Sequence, residues 1–272
     1  MTLDRFCVSF FLSMGSERAL RIKLFCRQQI EMAVRTRRGL IALLSFSLIW
    51  FLSLTGLVAA AKGAIVFEAI GFGAWPTLPS FVYWCGGLIA FSLMPLILTA
   101  DLFVSDGQRR TLRLYVLRRT RVEILLGRFI GQVILLAIYA ALGSICAWGY
   151  FLWENAVFPL GYRHLIGLCA LHFWSMGLPV IGCVSFFSIG ASSPRRAMMS
   201  VIALWSAVTL LRFHLFHDTP LFDAFAYVIP GHQLPLLFDK TATQTLPYLA
   251  IPLLQSIVFL GISIFRFRRR DV

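Results

Sequence analysis

Apolar residues crowd into six stretches of about twenty residues or more, at 40–61, 81–100, 129–153, 164–189, 197–215 and 246–265, and the connections between them carry nearly all of the charge. A helix needs about twenty mostly apolar residues to cross the hydrocarbon core of a bilayer. The pattern therefore predicts an all-α integral membrane fold with six transmembrane helices. Pro95, Pro179 and Pro252 fall inside these stretches. The backbone groups they leave unbonded need neighbouring helices or cavity water.

Two further segments are patterned without being long and apolar enough to cross. In 16–38, Ala19, Ile22, Cys26, Ile30 and Ala33 recur at helical spacing among Arg18, Arg21, Lys23, Arg27 and Arg35. This predicts an amphipathic helix lying along an anionic membrane surface. The segment 217–245 mixes Pro220, Pro230, Gly231 and Pro235 with short apolar runs, which predicts interfacial or re-entrant helices.

Composition agrees with a membrane chain: of 272 residues, 59% are hydrophobic and 14% charged, against about half and a quarter in a soluble domain. The net charge of +13 would suggest nucleic acid only if the cations formed one accessible face. They occur instead in blocks between apolar runs, so no nucleic-acid partner is expected.

Six crossings place both ends on one side. Eight Lys and Arg precede residue 40, seven fall between the second and third runs, Arg195 and Arg196 follow the fourth, and four follow residue 265. The alternate connections hold only Lys62, Arg163 and Lys240. By the positive-inside rule both ends and the loop 106–128 are expected in the cytoplasm, with the chain in the cell (inner) membrane. The chain then divides into a cytoplasmic segment 1–39, a membrane domain 40–265 and a basic tail 266–272. Trp75, Trp84, Trp148 and Trp153 fall near the predicted outer ends of spans, which suits an aromatic belt, although composition alone would allow the same residues in a core. The six cysteines have no metal-ligand spacing and read as small apolar residues. The run 6–14 is too short to span and has no cleavage pattern after it, so it is not read as a signal peptide; Met14 is an alternative start.

The loop after the second run has a definite order: Asp101, Asp106, Arg110, Thr111, Leu112, an apolar-basic helix, Thr120, Arg121, Glu123, then Gly127 and Arg128. Leu112, Tyr115 and Val116 share one helical face, with Arg109, Arg110 and Arg113 largely on another. Positive-inside topology accounts for the charge but not for the order. These residues resemble the permease subunits of ABC-2-type ATP-driven transporters. In that family an acid is followed by Glu, Gly-Thr-Leu, an apolar helix, Pro-x-Ser/Thr-Arg and Ile-Leu-Leu-Gly-Lys. The matching positions are Asp101, Asp106 for the glutamate, Thr111, Leu112, Thr120, Arg121 and residues 124–128, while Arg110 and Arg118 stand where the family has Gly and Pro. The closing "FRFRRRDV" also resembles the family's basic tail.

The resemblance implies an exporter's membrane subunit with a coupling helix between spans 2 and 3. Asp106, Arg110, Thr111, Leu112, Thr120, Arg121 and Glu123 would dock on a cytosolic ABC ATPase. Two copies of that ATPase, carrying ATP and Mg, and a second or homologous permease are the implied partners, within membrane lipid. No cofactor, metal or catalytic residue is expected in this chain. The sequence contains no G-x-x-x-x-G-K-[ST] phosphate loop, so the ATPase is expected to be a separate chain.

Asp101 and Arg212 are candidate span-terminal charge sites. Asp101 is read chiefly as a structural carboxylate, and Arg212 as a side chain that snorkels to headgroups. His164 and His172, eight apart, read as helix-interface polarity rather than as haem ligands. Two other classes compete with transport: a membrane anchor or assembly subunit, and an intramembrane enzyme using Ser175 and His172. The latter lacks a G-x-S-x-G context and a third orienting group.

Overall fold

The computed structural model describes residues 17–34, 37–63, 78–99, 104, 120–155, 162–215 and 244–269. Among the described residues all regular structure is helical. The helices are α1 (Glu17–Val34), α2 (Arg37–Gly63), α3 (Leu78–Thr99), α4 (Arg121–Asn155), α5 (Tyr162–Ser188) and α6 (Pro194–Leu215). A 3-10 turn, Leu246–Leu249, then runs directly into α7 (Ala250–Arg269).

Four described stretches are long and apolar enough to cross a membrane: Phe81–Thr99, Arg121–Trp153, Ile166–Ser188 and Leu246–Arg269. They fall on the second, third, fourth and sixth runs of the sequence. The first run lies on α2, whose described apolar part is Leu44–Gly56. The fifth lies on α6, which has three arginines among its 22 residues.

The helix α5 is the axis of the bundle and packs against α3, α4, α6 and α7. Its apolar stretch is 67% buried, against 22% for the stretch containing α7. Accordingly α7 lies at the edge, with Leu253, Leu254, Ile257, Val258, Ile262 and Phe265 exposed. Rings fill the space between α2, α3 and α5: Phe91 stacks on Phe173 with centroids 5.3 Å apart, and Trp50 meets Phe91 edge-on at 5.7 Å. Buried hydroxyls bond to carbonyls of their own helices, Ser144 to Ala140, Ser185 to Ile181 and Ser263 to Phe259. Such back-bonding satisfies polar groups that have no water to turn to.

Three sequence expectations are corrected. The helix α4 starts at Arg121, eight residues before the apolar run at 129, because its start is set by local capping rather than by hydrophobicity. The helix α1 does not turn its apolar stripe toward lipid: Ile22, Cys26 and Ile30 are buried, and the helix packs on α4. Gly127 and Gly131 make this contact close. A Cβ at Gly127 would stand 2.8 Å from the Ile22 carbonyl oxygen, and one at Gly131 2.8 Å from Gln29 Cβ. Finally, Trp84 is not an interfacial residue. It is 0% exposed and sits edge-on to His172 with ring centroids 5.3 Å apart, because its side of α3 faces α5.

Candidate functional site

The described end of the arginine-rich loop is the start of α4. Thr120 and Glu123 cap it reciprocally: the Glu123 N–H donates to Thr120 Oγ1 at 3.4 Å, and the Thr120 N–H donates to Glu123 Oε2 at 3.2 Å. This is a capping box, in which two of the helix's unbonded donors are satisfied by side chains. The carboxylate also lies where the helix dipole favours negative charge. Thr120 is exposed, whereas Glu123 is only 4% exposed.

Arg121 reaches away from its own helix. Its Nη1 donates to the carbonyl oxygens of Phe267 at 3.3 Å and Arg268 at 3.0 Å. Carbonyls in the last turn of a helix have no partner within it, and a cation there is favoured by the dipole. Arg266 does the same for α5. Its Nη1 donates to the Phe186 carbonyl at 3.1 Å, and the guanidinium lies 4.4 Å from the centre of the Phe186 ring. A Cβ at Gly190 would push aside the Arg266 guanidinium, so the glycine leaves room for that contact.

Beneath these polar ties lies a small apolar cluster of Phe25, Ile124, Leu125, Ile189 and Phe267. It joins α1, α4, the end of α5 and α7. Four elements distant in sequence thus meet where the arginine-rich loop enters the bundle.

Of the residues singled out from sequence, Thr120, Arg121 and Glu123 are brought together in this junction. Asp101, Asp106, Arg110, Thr111 and Leu112 lie outside the described residues. Arg212 lies within α6, with its side chain outside the described ones. Arg266 was not singled out, although an arginine in the last turn of an apolar helix is a recognisable signal.

A second polar locus lies inside the bundle. His172 is fully buried, and its Nε2 is 2.9 Å from Thr245 Oγ1. His172 lies ten residues past the start of α5, about 15 Å along the helix. The Ser175 hydroxyl donates to the His172 carbonyl at 2.8 Å. The ring nitrogen and the serine hydroxyl thus bond to different groups. Two apolar grooves open on α4 farther along, one of about 410 Å³ beside Phe51, Thr55, Tyr150 and Trp153, the other of about 220 Å³ beside Ser144 and Trp148.

No protein-family model matches the sequence, and no curated protein is significantly similar to it. The chain is defined by its fold as an all-helical protein with the helix lengths and apolarity of a transmembrane protein.

Proposed function

We propose that this chain is the membrane-spanning permease subunit of an ABC-2-type exporter. In this reading it crosses the cell membrane six times, with both ends in the cytoplasm. It pairs with a second copy or a homologous permease, and two copies of a separate ATPase hold the ATP and Mg. The chain does no covalent chemistry of its own.

The junction at the start of α4 carries the reading. A loop that receives force from a partner needs a stiff attachment, because a flexible one absorbs the displacement. Here the attachment is tied twice, through the Thr120–Glu123 cap and through the bonds from Arg121 to the end of α7. Movement of the loop would then be shared by α4 and α7. Docking contacts are assigned to Asp106, Arg110, Thr111, Leu112 and Thr120, and the base of the lever to Arg121 and Glu123.

The test is whether an adjacent gene encodes a soluble protein with a phosphate loop and whether that ATPase copurifies with this chain, comparing the wild type with Asp106→Arg plus Arg110→Glu. Both proteins must elute as folded species of equal size. The reversed charges are expected to abolish complex formation and permease-stimulated ATP hydrolysis. Retention of both would sink the docking assignment. Labelling of cysteines placed at 106–119 from outside the cell would overturn the orientation.

A further inference from the structure

Five arginines lie at one end of the bundle, without a carboxylate partner among the described residues. Arg195 and Arg196 lie in the first turn of α6, and Arg266, Arg268 and Arg269 in the last turn of α7. The turn at 189–193 brings the two groups together: Arg196 Nη1 donates to Ser192 Oγ at 2.7 Å, and the Arg266 guanidinium lies against Gly190. Positions 190 and 192 are at most about 7 Å apart along the chain.

The contacts these arginines make are with neutral groups. Arg266 takes the Phe186 carbonyl and ring, and the Arg269 guanidinium lies 4.1 Å from the centre of the Phe265 ring. None of the five forms an ion pair among the described residues. Glu123, at the same end, is buried with its carboxylate in the α4 cap. Several guanidinium groups so placed call for an oxyanion, and phosphate is the one whose geometry they match in forked pairs.

The helices also indicate where the phosphate comes from. On α6, Arg195 stands one and two turns from exposed Met199 and Ile202, at the i, i+4 and i+7 positions of one face. On α7, Arg269 stands over exposed Phe265 and Ile262 at the same spacing in reverse. Each cation thus ends an apolar stripe, which is the arrangement that meets acyl chains below and a headgroup above.

We propose that the α5–α6 turn and the last turn of α7 form a binding site for the phosphate headgroup of an anionic membrane lipid. Arg195, Arg196, Arg268 and Arg269 reach the headgroup, while Arg266 holds the turn against α7. The site depends on a bilayer around the chain and not on any partner ATPase.

The test uses the full chain in phosphatidylcholine nanodiscs containing either spin-labelled phosphatidylglycerol or spin-labelled phosphatidylcholine, with the motionally restricted fraction of each label measured. The wild type should enrich the anionic label about fivefold over the neutral one, the scale of one surface arginine's attraction to anionic lipid. Replacing Arg195, Arg196, Arg268 and Arg269 by Gln should bring the two labels to parity, and replacing them by Lys should restore part of the preference, with Arg27→Gln on α1 as a control that leaves it intact. An unchanged preference in the Gln variant, or an equal loss in the Arg27 control, overturns the site. Displacement of the labelled lipid by millimolar inorganic phosphate overturns the lipid as its occupant.

Discussion

Arg121, the first residue of α4, bonds to the carbonyl oxygen of Arg268, 147 positions later in the chain and 3.0 Å away. The bond links the base of the arginine-rich loop to the end of α7, with no other element between them. A hydrogen bond from a charged donor contributes about 1.5–3 kcal/mol, less where water competes, and Arg121 is only half-buried. Arg121→Ala should therefore lower stability by about 1–2 kcal/mol, read as a shift in the denaturant midpoint. Arg121→Lys should recover part of it, because the ammonium keeps the charge and the donors but lacks the planar guanidinium that holds Nη1 between the two carbonyls.

The capping box gives a prediction that separates a shared interaction from two independent ones. Thr120→Ala and Glu123→Ala should each cost about 1 kcal/mol. Because each residue bonds to the backbone N–H of the other, the double variant should cost less than the sum. Strict additivity in chemical unfolding would show that the two side chains do not act as a unit.

Gly127 decides whether α1 lies on the bundle. Any side chain larger than hydrogen there meets Phe25 Cβ at 2.5 Å and the Ile22 carbonyl oxygen at 2.8 Å. Backbone and Cβ atoms cannot rotate out of the way, so α1 itself must lift. Gly127→Leu should leave the apolar helices folded while exposing Cys26, which is buried at the same contact. Maleimide labelling of Cys26 should then rise at least severalfold over the wild type.

Much of the helical layout was legible in the sequence because hydrophobic length is a local property. The four stretches that meet the membrane criterion, and the helices α2 and α6, all fall on predicted runs. Helix starts were less legible, since α4 begins where Thr120 and Glu123 satisfy its first donors and not where the apolar run begins. Trp84 was misplaced because composition near a span's end does not reveal which side faces α5. Similarly, the stripe of α1 was evident, but not that two glycines on α4 would receive it. The bonds of Arg121, Arg266 and His172 cross 146, 80 and 73 positions, and no periodicity encodes such partners.

The pairing of His172 with Thr245 supplies the last prediction. A threonine placed just before the 3-10 turn at 246–249 is fully buried and meets a ring about 15 Å along α5. The turn and the start of α7 are thereby held at a fixed depth beside α5. Polar pairs between membrane helices contribute about 0.6 kcal/mol on average and reach about 1.7. Thr245→Val preserves the shape and removes the hydroxyl, and should lower stability by about that amount in an unfolding titration in mixed micelles. His172→Phe removes the same bond, but it also changes the ring that Trp84 meets edge-on at 5.3 Å, so it should cost more alone. Once His172→Phe is in place, Thr245→Val should add little further loss, because the hydroxyl no longer has a ring nitrogen to meet. A double variant as unstable as the sum of the two would mean that the hydroxyl and the ring stabilise the bundle separately, and that Thr245 does not anchor α7 to α5.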